Sequence, residues 1–273
     1  MSKHDHDQGL AHDLNLLTRR RLLWFLGGAA LVPVIAGCTQ IDSVGADASS
    51  GSGTDAGSGS GSGSTGTCST IPQETAGPYP GDGTNGPNAL TLSGIVRSDI
   101  TTSLTSSKVA AGIPLTVTLT IQKGSTCEPA VGYAVYIWHC DRDGLYSLYS
   151  TGVTADSHLR GVQVTDANGQ VTFTTIWPAC YSGRWPHIHF EVYTSVAEAT
   201  SGTNKVSVSQ LAMPKAQCDE VYATTGYSQS VTNLSQVSLA TDMVFSDGAT
   251  QETPTVTGST SAGYVATLNV PIG

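Results

Sequence analysis

Residues 175–190 read T-I-W-P-A-C-Y-S-G-R-W-P-H-I-H-F, and this stretch decides both the expected fold and the expected site. Successive side chains of a β-strand point to opposite faces of the sheet. His187 and His189 therefore share one face of a strand, whereas Ile188 and Phe190 share the other. The stretch predicts a strand that carries two imidazoles on one side and apolar residues on the side of the core.

The loop before this strand carries two more functional groups. Pro178 and Pro186 interrupt the hydrogen-bond ladder at the two ends of the loop, and between them lie Tyr181 and Arg184. We expect a phenol and a guanidinium to converge there on the two imidazoles. A pair of histidines could also serve only to satisfy hydrogen bonds at a sheet edge, or could hold copper or zinc, and the residues alone leave these alternatives open.

The first part of the chain predicts export rather than a folded domain. Residues 1–37 contain adjacent arginines, Arg19 and Arg20, followed by an apolar run, which is typical of a twin-arginine export signal. The run ends in Ile-Ala-Gly-Cys, which resembles a bacterial lipoprotein cleavage site and predicts that Cys38 is lipidated; a plain cleaved signal or an uncleaved anchor is the alternative. We therefore expect a cell-envelope lipoprotein, or a periplasmic or extracellular protein.

Composition divides the rest of the chain and limits its partners. Residues 38–67 are dominated by Gly, Ser, Thr and Asp and predict a flexible tether, whereas residues 68–273 are long enough for one domain with a substantial core. The formal net charge is −9 at pH 7. Such an acidic protein is not expected to bind nucleic acid or an anionic membrane face, so a membrane enters only through the N-terminal signal or lipid anchor.

Short alternating segments separated by Gly, Pro and Asp turns predict an all-β domain, an antiparallel β-sandwich with little helix. The D-A-N-G sequence at 166–169 is a hairpin signal. One short helix is expected within 215–227. The expected strands cover residues 90–99, 114–122, 134–140, a hairpin from 159 onward, 187–194, 206–213 and 263–270.

Five motifs in order give the domain a resemblance to a known family: G-P-Y-P at 77–80, V-Y-I-W-H-C-D-R-D-G-L-Y-S at 135–147, L-R-G-V-Q-V-T-D-A-N-G-Q-V-T-F-T-T-I-W-P at 159–178, Y-S-G-R-W-P-H-I-H-F at 181–190 and S-Q-L-A-M-P at 209–214. Together they are similar to the intradiol ring-cleavage dioxygenases, the family of catechol 1,2-dioxygenase and protocatechuate 3,4-dioxygenase. The resemblance implies a prealbumin-like β-sandwich. It also implies an enzyme that cleaves a small catechol-type diol with O2 to a cis,cis-muconate-type dicarboxylic acid; whether it is a homo-oligomer is left open.

The resemblance further implies a mononuclear non-haem Fe(III) centre with four ligands: Tyr146, Tyr181, His187 and His189. It implies catalytic roles for Tyr181, Arg184 and Gln210. The residue types suit the metal, since ferric iron is a hard cation that prefers anionic oxygen and favours the deprotonated phenol. A non-catalytic, prealbumin-like binding module on the cell surface is the alternative, and the presence of all four ligand types disfavours it.

The cysteines and four further residues of the motifs complete the expectations. Five cysteines follow Cys38, none with zinc-finger spacing, so an exported chain predicts disulfides with one cysteine left unpaired. If Tyr146 and Tyr181 meet at one metal, as the resemblance implies, the pairs are expected to be Cys140–Cys180 and Cys127–Cys218. Arg160 and Asp166 are expected to fix the hairpin, and Trp138 and His139 to be core residues.

Overall fold

The computed structural model describes residues 68–273. The predicted signal at 1–37, the lipidation site Cys38 and the tether at 38–67 lie outside the described residues, so these remain predictions. Across the described part of the chain, no helix has the length and apolar content that crossing a bilayer requires.

Two four-stranded sheets form the body of residues 68–273, as the predicted all-β sandwich requires. The first sheet has the order β4-β1-β8-β7, and the second has the order β3-β2-β5-β6. The strands are β1 Pro114–Lys123, β2 Ala134–Trp138, β3 Arg160–Val164, β4 Gln170–Ile176, β5 His187–Tyr193, β6 Ser207–Ala212, β7 Thr255–Ser259 and β8 Gly263–Ile272; two helices are α1 Lys215–Tyr222 and α2 Ser228–Leu234.

The core lies between the sheets because the strands alternate as their sequences predict. In β1 the buried positions are Leu115, Val117, Leu119 and Ile121, while the threonines between them are partly exposed. In the facing sheet, Ile188 and Phe190 of β5 belong to the same core cluster. Burial of these inner faces supplies the main stabilisation, about 1.5–3 kcal/mol for each large apolar side chain.

The topology differs from the expected antiparallel sandwich in two places. β1 and β8 pair in parallel, with Leu115 opposite Tyr264. The last strand of the chain thus lies beside the first one. The predicted hairpin at 166–169 is wrong, since β3 pairs with β2 and β4 pairs with β1. The turn itself is present: Asp166 accepts hydrogen bonds from the backbone N–H groups of Asn168 and Gln170 at 2.8 Å each, as its expected structural role requires. The turn connects the two sheets instead of closing a hairpin.

The predicted strand at 90–99 is also wrong. Residues Ala89–Thr91 form a 3-10 helix whose N-cap, Asn88, accepts a hydrogen bond from the Leu90 N–H at 3.0 Å. Gly94 has a φ of 82°, which takes the chain out of the extended conformation. The remainder makes only isolated bridges, such as Val96 to Val162. The Asn88 cap and Gly94 thus prevent the strand that the alternating pattern predicted.

Both predicted disulfides are wrong. Cys127 instead pairs with Cys68, with their Cα atoms 5.3 Å apart, and Cys140, Cys180 and Cys218 are buried free thiols. The N-terminal segment runs beside the turn after β1, where the Cys68 N–H donates to the Gly124 carbonyl at 3.0 Å, and this brings the two cysteines into bridging range. The bridge closes a sequence separation of 59 residues. By the chain-entropy account it contributes about 4 kcal/mol to the free energy of unfolding.

Candidate metal centre

The two histidines of β5 lie side by side, on the face that the sequence alternation predicts. His187 and His189 are both 2 % exposed, and their Nε2 atoms are 3.0 Å apart. β5 is an inner strand of its sheet, between β2 and β6, so its backbone is held on both edges. The two imidazoles therefore converge on one fixed point.

The surroundings of each imidazole set its orientation. The Nδ1–H of His187 donates to the backbone carbonyl of Trp185, so its Nε2 carries the lone pair that faces His189. His189 is oriented by packing: the Trp138 ring stacks on it with centroids 4.8 Å apart and planes 4° from parallel. On another side lies Gly77, where a Cβ would be 3.4 Å from the His189 Cε1 atom. Within residues 68–273 the Nδ1 atom of His189 has no hydrogen-bond partner.

Tyr146 is delivered by a tightly hydrogen-bonded turn after β2. The Asp141 carboxylate accepts from the Asp143 and Leu145 N–H groups at 2.9 Å each, and the Ser150 hydroxyl accepts from the Tyr146 N–H at 3.0 Å. The turn sequence therefore fixes the backbone from which the phenol projects. The Tyr146 hydroxyl is buried and lies 3.4 Å from the His187 Nε2 atom.

Tyr181 comes from the loop before β5, which the two helices hold in place. Asn233 of α2 donates to the Cys180 carbonyl at 2.8 Å, and Tyr222 of α1 donates to the Pro178 carbonyl at 3.0 Å. The Tyr181 hydroxyl lies 3.4 Å from the Nε2 atom of His187, the same distance as that of Tyr146. Only one short helix was predicted, so the support that α2 gives to this loop is a finding of the structure.

Burial controls the charge of these groups. Burial, reinforced by the Arg184 charge, lowers the pKa of His187 to about 3, and burial together with His187 holds the pKa of His189 well below its ordinary 6.5. Burial and the neighbouring Tyr181 raise the pKa of Tyr146 well above 10. The imidazoles are therefore neutral, as metal ligands must be, and the Tyr146 phenol ionises only if a cation compensates its charge.

The donor set fits a hard, highly charged cation better than zinc. The Nε2 atom of His187 lies 3.0 Å from the Nε2 atom of His189 and 3.4 Å from the hydroxyl oxygen of each tyrosine, so two imidazole nitrogens and two phenol oxygens meet around it. Within residues 68–273 no group of three or more His, Cys, Asp or Glu side chains is placed to hold a metal ion. The donors beside the two imidazoles here are the two phenols. Protein zinc sites use Cys, His, Asp or Glu, whereas anionic oxygen suits ferric iron. The assignment of the four residues as ligands stays a prediction.

Arg184 and Gln210 form a hydrogen-bonded pair beside His189, and their catalytic roles stay predictions. Arg184 is 1 % exposed, and its Nη2 donates to the Gln210 Oε1 at 2.7 Å. Gln210 on β6 stands opposite His189 on β5, and its Nε2 donates to the Thr75 carbonyl at 2.8 Å. The sequence did not reveal the counter-ion: Asp242, fully buried, accepts from the Arg184 Nε at 3.0 Å. Asp242 lies 58 residues from Arg184 in the sequence and in none of the motifs that point to the site.

Two residues outside the four-donor set, Trp138 and Arg160, make contacts at the site that the sequence did not predict. Trp138 is a core residue, as expected, but one that stacks on His189. Arg160 is structural, as expected, yet it does not fix the predicted hairpin. Its guanidinium donates to the Pro80 carbonyl at 2.8 Å and the Tyr79 carbonyl at 2.9 Å. This holds the Tyr79 ring 4.9 Å from the Tyr146 ring, so Arg160 fixes one wall of the site.

Comparison with a family model and with solved structures relates the chain to known proteins. The family model described as Dioxygenase matches residues 91–201, a range that includes all four candidate ligands. An intradiol ring-cleavage dioxygenase from Tetranychus urticae is 27 % identical, with a TM-score of 0.60 over 76 % of this chain and 95 % of that chain. The dioxygenase Tetur07g02040 is 27 % identical, with a TM-score of 0.59 over the same shares. Among curated proteins none matches. The matched family model, the shared fold and the motif positions agree in pointing to the intradiol ring-cleavage dioxygenase family.

Proposed function

We propose that the protein is a non-haem ferric intradiol dioxygenase, which cleaves a catechol-type aromatic diol with O2 to a cis,cis-muconate-type dicarboxylic acid. The observation that carries the proposal is the convergence of Tyr146, Tyr181, His187 and His189 on one buried point. No cysteine takes part in this cluster, and the imidazoles are held neutral. A bound ferric ion would supply a Lewis-acid centre for both diol oxygens and would make the ring reactive towards dioxygen.

The two tyrosines are placed for different tasks. Tyr146 is 1 % exposed and held by the turn after β2, which suits a permanent ligand. Tyr181 lies in a loop and is only half-buried. A phenolate regains its basicity when it is no longer bound to a cation, so Tyr181 can take a proton from a substrate hydroxyl at its own oxygen. The proposal therefore gives Tyr181 the role of general base.

Arg184 supplies a fixed positive charge beside the cluster. Its charge contributes to lowering the pKa of both His187 and His189, so its field reaches the point where the diol would bind. Negative charge that develops on the substrate during cleavage is stabilised by such a preorganised cation in a site with little water. The Gln210 Oε1 accepts a hydrogen bond from the Arg184 Nη2 at 2.7 Å, and because Gln210 stands opposite His189, this bond holds the guanidinium near His189.

Metal content and colour test this function. We expect the purified protein to contain equimolar iron and to be red-brown, because tyrosinate bound to ferric iron gives charge-transfer absorption. Catechol added without dioxygen is expected to shift this absorption. A colourless protein with equimolar zinc would reject the iron assignment, and a folded protein that takes up no metal would support the binding module instead.

A further inference from the structure

Asp242 is the centre of a buried hydrogen-bond cluster at the edge of the site. Its Oδ2 accepts from the Arg184 Nε at 3.0 Å and from the Trp185 N–H at 2.7 Å. Its Oδ1 accepts from the N–H groups of Val244 and Phe245 at 2.9 and 3.2 Å. One carboxylate therefore binds the loop before β5 to the segment that precedes the 3-10 helix Phe245–Asp247.

The bonds of Asp242 continue directly into the site. Asp242 accepts a hydrogen bond from the Trp185 N–H, and the Trp185 carbonyl accepts one from the Nδ1–H of His187. Arg184 donates onward to Gln210, and Gln210 donates to the Thr75 carbonyl. Because its amide oxygen accepts from Arg184 and its amide nitrogen donates to a backbone carbonyl, the orientation of the Gln210 side chain is fixed by both of its polar atoms.

The charge of Asp242 is maintained in this position. Burial alone would raise its pKa, but the Arg184 charge and the N–H donors of Trp185 and Val244 outweigh burial, and the pKa lies below the ordinary 3.8. Removing one partner of a buried ion pair leaves the other charge uncompensated, which is costly. Without the Asp242 carboxylate, the Arg184 guanidinium would lose the hydrogen bond that fixes its Nε atom, and its direction towards Gln210 would no longer be set from that side.

We propose that Asp242 is a positioning residue for the reaction: it fixes the direction of the Arg184 guanidinium and, through it, that of Gln210. The inference rests on the proposed function, because Arg184 is assigned its charge-stabilising role there. Asp242 does not touch the four candidate ligands in any contact described, so its effect on catalysis is expected to pass through Arg184.

A double-mutant cycle tests this inference. Asp242→Asn in the iron-loaded protein is expected to lower kcat/KM for catechol about 10²-fold, as a displaced catalytic group does. In an Arg184→Gln background the same change is expected to cost less than about threefold, because residues that act through one another are not additive. Asp247→Asn is the matched control: it removes the same charge from an exposed position five residues away and is expected to leave kcat/KM unchanged.

The result that would overturn the inference is an equal loss from Asp242→Asn in both backgrounds, or no loss in either, since a residue needed only for folding gives additive effects. If Asp242→Asn fails to fold, Asp242→Glu serves instead, because it keeps the charge and displaces the carboxylate. The dissociation constant of catechol, measured without dioxygen in the same four proteins, gives a second cycle that needs no turnover. A wild-type protein that binds catechol but does not cleave it would reject the proposed function, while this binding cycle would still decide the inference.

Discussion

His187→Ala is expected to yield a folded protein that has lost its iron. His187 offers its Nε2 to the site on one face of β5, whereas the inter-sheet core is formed by Ile188 and Phe190 on the other face. Loss of a residue that only supports a ligand already costs about 10–100-fold in metal affinity, so removal of a ligand is expected to cost at least about 100-fold. Iron content and far-ultraviolet circular dichroism of the purified variant measure the two effects separately.

His158→Gln provides the control for this experiment. His158 is also a buried histidine, but it lies near Asp141 at 3.8 Å and not in the four-donor cluster. It is expected to keep equimolar iron. If His187→Ala retained its iron, or lost its β-type spectrum along with it, His187 would be a structural residue and the metal assignment would be wrong.

Arg184→Gln is expected to keep iron and to lower kcat/KM for catechol by about 10²–10³-fold, the loss typical when one preorganised electrostatic group is removed. Gln retains much of the volume of Arg but lacks its charge. Iron is expected to stay bound because Arg184 is not one of the four candidate ligands. Initial rates in air-saturated buffer, with iron content measured on the same samples, check the result.

Lys215→Gln is the matched loss of a positive charge. Its side chain is 63 % exposed on α1 and pairs with Asp219 on the same helix, so the change is expected to leave kcat/KM within about twofold, as surface substitutions generally do. An Arg184→Gln protein with wild-type rates would show that the guanidinium contributes nothing to the chemistry.

Local alternation predicted the parts of the fold that depend on neighbouring residues. The threonine-apolar alternation of β1 is present in its burial pattern. In β5, where every residue is buried, Ile188 and Phe190 lie in the inter-sheet core while His187 and His189 meet on the other face. These predictions are correct because side chains alternate along a strand, so burying one face in the core determines which face every residue of the strand occupies. The position of the two histidines follows from the same rule, and with it the centre of the candidate site.

The failures involve partners that are distant in the sequence or conformations that one residue decides. The Cys68–Cys127 bridge and the parallel β1–β8 pair depend on where distant segments meet. The Asp242–Arg184 pair likewise spans 58 residues, so no spacing rule points to it. Conversely, the pattern at 90–99 looked like a strand, but Gly94 with a φ of 82° ends the extended conformation.

Isotope labelling of the product tests the proposed function most directly. The iron-loaded protein is incubated with catechol under ¹⁸O₂, and the product is analysed by mass spectrometry. Intradiol cleavage predicts a cis,cis-muconate-type diacid that carries one labelled oxygen in each carboxylate, both from a single dioxygen molecule. A yellow semialdehyde from cleavage beside the diol, or a diacid with label in only one carboxylate, would contradict the proposal.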